Sequence, residues 1–139
     1  MIKPLLLLLT ILLATNTFAQ KPDQIVVWSI GQFNPSGITT SCDNLKNDWR
    51  AKRIELSNKR AVRKLYKAFK NEHNLKMDTI AVGQSARMNI SFMCRGRVIM
   101  EVCWGKFYRV RIEGKTYIYN SKIEDALQRA KIIHAIAHD

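Results

Sequence analysis

The chain reads as a single α+β domain, an antiparallel β-meander with two helices packed on one face. Three observations predict this. Apolar and polar residues alternate with period two through residues 86–119, apolar residues recur at helical spacing through residues 58–71, and a second helical stripe follows Asn120. The order of strand, helix, several antiparallel strands and closing helix sets helices against one sheet.

Residues 1–19 read as an export signal. Lys3 supplies the positive start, Leu5 to Ala14 an apolar run broken only by Thr10, and Thr17-Phe18-Ala19 the small residues a signal peptidase reads. The mature chain is expected to begin at Gln20, making 20–139 the single domain. A spanning helix needs about 20 apolar residues, more than this run offers. No cysteine stands at the cut site to carry a lipid. The expected location is periplasmic or secreted.

Residues 24–30 (QIVVWSI) are rich in β-branched side chains and close at Gly31, which predicts a strand followed by a loop with the turn signal Asn34-Pro35-Ser36. Residues 38–42 form a candidate second short strand, and residues 43–52 receive no assignment. Residues 53–56 predict a strand running into Ser57, whose hydroxyl is placed to cap the next helix. In that helix Val62, Leu65, Tyr66 and Phe69 make one apolar face, and residues 72–76 are its exit.

In the meander, Met88, Ile90, Phe92 and Cys94 form one apolar set and Val98, Met100, Val102 and Trp104 another. A three-residue loop, Arg95-Gly96-Arg97, puts all eight on one face, whereas a two-residue turn flips one set outward. In this register Cys94 faces the core and Cys103 faces away. A second hairpin turns at Glu113-Gly114, with Tyr108, Val110, Ile112, Tyr117 and Tyr119 inward. Ser121 and Glu124 read as a capping box for a helix to about His138, with a stripe of Ile123, Ala126, Leu127, Ala130, Ile133 and Ala137.

The cysteines Cys42, Cys94 and Cys103 allow at most one internal bridge. Cys94 and Cys103 stand too far apart along the hairpin to meet. That leaves Cys42 paired with either of them, or three buried thiols; the sequence favours the thiols and leaves the pairing open.

The formal charge is +12, and residues 46–76 carry eleven Lys or Arg against Asp48, Glu55 and Glu72. Such an excess favours acidic partners. Lys59, Arg60, Arg63, Lys64, Lys67 and Lys70 cover the polar side of the first helix and are the leading candidate binding residues; a solvated face is the plain alternative. With no aromatic among them, contact with nucleic acid would be electrostatic and nonspecific. Arg109 and Arg111, beside Phe107, Ile118, Glu101 and Cys103, make a second candidate binding patch on the outer sheet face. Its alternative is cover by residues 38–52.

Catalytic signatures are weak. His134 and His138 stand four apart, but His134 falls in the apolar stripe, so a packed histidine and a terminal one are expected rather than a metal site. His73, His134, Glu101 and Lys106 supply residue types for phosphoester hydrolysis, yet no spacing joins them. No serine sits in a nucleophile elbow. No cofactor is expected.

The stretch from Arg53 to Lys70, the segments Arg87-Met88-Asn89-Ile90 and Glu113-Gly114-Lys115-Thr116-Tyr117, and Asn120 before a helix resemble small exported bacterial α+β domains of unknown function. The resemblance spans about residues 53–130 and implies fold and compartment alone. The expected function is therefore an exported cationic binding module, inhibitor-like in one version, engaging an acidic protein or envelope surface. The alternatives are a nonspecific nucleic-acid or anionic-envelope binder and a small secreted nuclease or phosphoesterase.

Overall fold

The computed structural model describes residues 20–30, 41–79, 86–105 and 109–132. Seven strands, β1 (Gln24–Ser29), β2 (Lys52–Leu56), β3 (Leu75–Met77), β4 (Ala86–Cys94), β5 (Arg97–Gly105), β6 (Arg109–Ile112) and β7 (Lys115–Tyr119), form one sheet in the order β2-β1-β4-β5-β6-β7-β3. Every pairing is antiparallel. Among the described residues three helices accompany it: α1 (Cys42–Leu45), α2 (Lys59–Lys70) and α3 (Ser121–Arg129). The α+β composition is as expected, but among the described residues the helices number three rather than two. Residues 1–19, the 31–37 loop, Lys106, Phe107, Tyr108, Ile133, His134, Ala137 and His138 lie outside the described residues.

The β4–β5 hairpin departs from the expected three-residue loop. Arg95 and Gly96 alone make the turn, with φ of 51° and 76°, the paired left-handed conformations of a tight hairpin that glycine adopts without strain. Cys94 then pairs with Arg97 and Met93 with Val98, while Phe92 pairs with Met100, so Ile99 is an extra residue in β5. This bulge restores the parity that the short turn would have broken. Phe92, Ile90, Met100 and Val102 all reach the core, and the cost falls on Val98, left 48% exposed.

One cluster unites the main core. Ile25, Val27, Ile90, Phe92, Val102 and Val110 from the sheet join Val62, Leu65 and Phe69 of α2 and Ile123 and Leu127 of α3. Burying each such side chain is worth about 1.5–3 kcal/mol. Phe92 is the hub, with the Tyr66 and Phe69 rings edge-on to it at 5.3 and 6.1 Å.

The opposite sheet face follows from alternation, with a register shift between Ala86 and Met88 that brings Ala86 to it as well. Trp28, Asn89, Cys103 and Arg111 are successive cross-strand partners and therefore share it. A disulfide from Cys42 to Cys103 holds α1 there, and Cys42, Cys103 and Ala86 form a separate small buried cluster. The bridge corrects the expectation of three thiols: α1 brings the Cα atoms to 5.8 Å, well within bonding range, and leaves Cys94 as the free cysteine. It also replaces the expected end of the 38–42 strand, since Cys42 opens a helix capped by Ser41, whose side chain accepts from the Asn44 N–H. Residues 38–40 lie outside the described residues.

Both long helices are capped by asparagine, one residue from the expected serine in each case. Asn58 Oδ1 accepts from the N–H groups of Arg60 and Ala61 at 3.1 and 3.3 Å. Asn120 Oδ1 accepts from Lys122 N–H at 3.1 Å, so Ser121 is already helical and the reciprocal box with Glu124 is displaced. Asparagine and serine cap about equally well, so extended backbone at the asparagine decides the position. Asn58→Ala is expected to cost about 1 kcal/mol, read as a lower urea midpoint at unchanged slope. α3 ends at Arg129, where Lys131 turns to φ 59°, a left-handed helix terminator, and residues 133–138 of the expected helix lie outside the described residues.

The expected exit of α2 holds a further strand. After the turn at Glu72–Asn74, β3 pairs Leu75 with Tyr119 and Met77 with Tyr117. Buried Asn74 ties this corner together: its Nδ2 donates to Ala68 O at 2.9 Å, and Asn120 donates from its backbone N–H to Asn74 O at 3.1 Å. The cap of α3 is thereby fixed beside the end of α2.

Candidate functional site

All six predicted cations of α2 are exposed, because Val62, Leu65 and Phe69 occupy its buried side. Two of them, Arg60 and Lys64, line a groove of about 520 Å³ between α2 and α3. Lys122 and Arg129 approach the same groove from α3. Among the described residues none of these four cations has an ion-pair partner. Asp125 is the acid in the lining.

The groove exists because alanines stand where the two helices meet. Ala61, Ala126 and Ala130 are more buried than the surrounding cations and make its floor, while the long side chains form the rim. Lys and Arg stems cover apolar surface and keep their charge at the water boundary. The result is a concave, cationic site with a small apolar base.

Lys59, Arg63, Lys67 and Lys70 lie on α2 outside this lining. Lys70 Nζ stands 5.8 Å from the centre of the Tyr66 ring, a cation–π distance. The six predicted cations therefore divide into a groove pair and an outer set.

Arg109 and Arg111 do not join them. Val110 and Ile112 belong to the main core, so the alternating arginines point to the other side of the sheet. Arg109 Nε lies 2.7 Å from Asp78 Oδ2, and the Asp78 side chain is nearly buried, which commits this arginine to an internal ion pair. Arg111 lines a second cavity of about 380 Å³ beside the disulfide, with Asp43, Asn89, Glu101 and Glu113. Two candidate surfaces on opposite sheet faces cannot act as one site.

The 41–51 segment covers part of that second face. Lys46 pairs with Glu101, and the Ser91 hydroxyl stands 3.0 Å from Asn89 Oδ1 and 3.2 Å from Glu101 Oε1. Arg50 donates to Asp48 at 2.6 and 2.9 Å, and this hydrogen bond raises its pKa above the usual arginine value against a smaller opposing effect of burial. Of the residue types considered for hydrolysis, His73 lies in the turn after α2, Glu101 is engaged as above, and His134 and Lys106 fall outside the described residues. Among the described residues no group of three His, Cys, Asp or Glu side chains could hold a metal ion, and no helix is long and apolar enough to cross a membrane.

Sequence reasoning missed Lys122 and Arg129. Their spacing, with Asp125 between them, puts all three on one side of a helix beside the apolar stripe, so the signal was present. What it lacked was the neighbouring helix that turns two exposed cations into half of a groove. The chain matches no family model, no curated protein and no solved structure.

Proposed function

We propose that this chain is an exported cationic binding module, inhibitor-like in one version, that holds an acidic protein or envelope surface through α2. The reading takes α2 and α3 as a two-helix layer packed on one face of the sheet, presenting their polar sides outward. One observation carries it: Arg60, Lys64, Lys122 and Arg129 gather from two helices around one groove without acidic partners among the described residues. Like charges at close range oppose the fold, so their gathering is better accounted for by a ligand than by stability. The Cys42–Cys103 bridge supports an oxidising destination, periplasmic or extracellular, and with it the reading of residues 1–19 as an export signal.

The test is charge reversal at Arg60, Arg63, Lys64 and Lys67 together, with capture from the protein's own envelope extract at two salt concentrations. The expected result is loss of a discrete, stoichiometric acidic partner, with the folded circular dichroism spectrum retained and the melt no lower. Capture that survives reversal removes α2 from the mechanism. Binding that has no stoichiometry, accepts any polyanion and collapses at moderate salt gives the protein over to the nonspecific alternative, in which counterion release drives association.

A further inference from the structure

We infer that the groove between α2 and α3 takes an acidic segment of a partner polypeptide, its carboxylates at the rim cations and a small apolar side chain on the alanine floor. This rests on the reading of α2 as a binding surface and adds the seat and chemistry of the ligand. The volume, about 520 Å³, lies in the range of sites that enclose a few side chains. Charge complementarity gives the sign: four cations and one acid line it.

Two features favour polypeptide over phosphodiester. Ala61, Ala126 and Ala130 offer an apolar base, which rewards methyl and methylene groups and gives nothing to a sugar-phosphate chain. Asp125 stands within the same lining, where it repels a continuous polyanion. A peptide can instead set a backbone N–H against Asp125 and keep its carboxylates for the cations. Arg60 and Arg129 supply planar forks that meet a carboxylate with two parallel hydrogen bonds. A nucleic-acid backbone is better served by the outer set Lys59, Arg63, Lys67 and Lys70, which follows the helix without an intervening acid.

The experiment uses the mature chain, residues 20–139, and measures fluorescence anisotropy with two probes. One is a labelled ten-residue peptide of alternating Glu and Ala, the other a labelled oligodeoxynucleotide of similar charge. Three variants are compared: Ala126→Trp, which fills the groove without changing charge; Arg129→Glu, at an exposed rim position that tolerates substitution; and the pair Arg63→Glu with Lys67→Glu, outside the groove.

Ala126→Trp and Arg129→Glu are each expected to weaken the peptide at least tenfold. Ala126→Trp should leave the oligonucleotide within about twofold, and the outer pair should weaken the oligonucleotide more than the peptide. If Ala126→Trp melts early, Arg129→Glu alone decides, through a larger loss for peptide than for oligonucleotide. Peptide binding unchanged in both groove variants, or a larger loss of oligonucleotide than of peptide, overturns the groove assignment. No peptide binding by the unaltered protein overturns it as well. In each of these cases the wider reading of α2 still stands or falls on the four-residue reversal.

Discussion

Phe92→Ala is expected to remove about 3–5 kcal/mol of stability, the cost of a phenylalanine truncated in a close-packed core. Phe92 is 0% exposed and receives Tyr66 and Phe69 edge-on, so the substitution strips the partner from two ring contacts. Both rings belong to α2, and the damage should therefore reach the cationic helix. The check is a urea titration followed by tryptophan fluorescence and by far-ultraviolet circular dichroism. Coincident transitions at a much lower midpoint are expected; a midpoint within a few tenths molar of the unaltered protein would remove Phe92 from the centre of the core.

Removing the Cys42–Cys103 bridge should be of comparable size and act through a different state. The two cysteines stand 61 residues apart in sequence. In the chain-entropy account, closing a loop of that length restricts the unfolded chain by about 4 kcal/mol. With a melting temperature shift of roughly 4 °C per kcal/mol for a chain of this size, the double variant Cys42→Ala with Cys103→Ala should melt on the order of 15 °C lower. The local effect is as specific. A four-residue helix cannot hold itself, so α1 should come away from the second face once the bond is gone. Faster amide exchange at Cys42–Leu45, with α2 still protected, is the expected signature. Equal melting temperatures for the two proteins would mean that packing of buried Leu45 and the Lys46–Glu101 pair already secures the segment.

These two effects separate the parts of the molecule. Phe92 holds the helices that carry the cations, whereas the disulfide holds the cover on the face bearing Arg111. A ligand that binds the groove should therefore survive loss of the bridge and fail with loss of the core.

Much of this was legible in the residue order because local physics writes a periodic signal. The apolar stripe of α2 named its buried face, and with it the exposure of Lys59, Arg60, Arg63, Lys64, Lys67 and Lys70. Period-two alternation placed Ile90, Phe92, Met100, Val102, Val110 and Ile112 in the core and turned Cys103, Arg109 and Arg111 away from it. The Glu113-Gly114 turn followed from Gly114, which takes a φ of 77° without strain and carries Glu113 with it at φ 50°.

What the tertiary structure alone decided depends on partners distant in sequence. β3 is three residues long, too short for any period to show, and becomes a strand because β7 has an open edge. The bulge at Ile99 arises because a tight turn and an apolar face demand opposite parities and one extra residue reconciles them. Cys42 finds Cys103 rather than Cys94 because α1 lies over one face of the sheet and Cys94 belongs to the other. Lys122 and Arg129 came to line a groove only because α3 lies beside α2. Composition and periodicity fix which side of an element seeks water; which two such sides meet is set by packing between elements, and no local pattern encodes it.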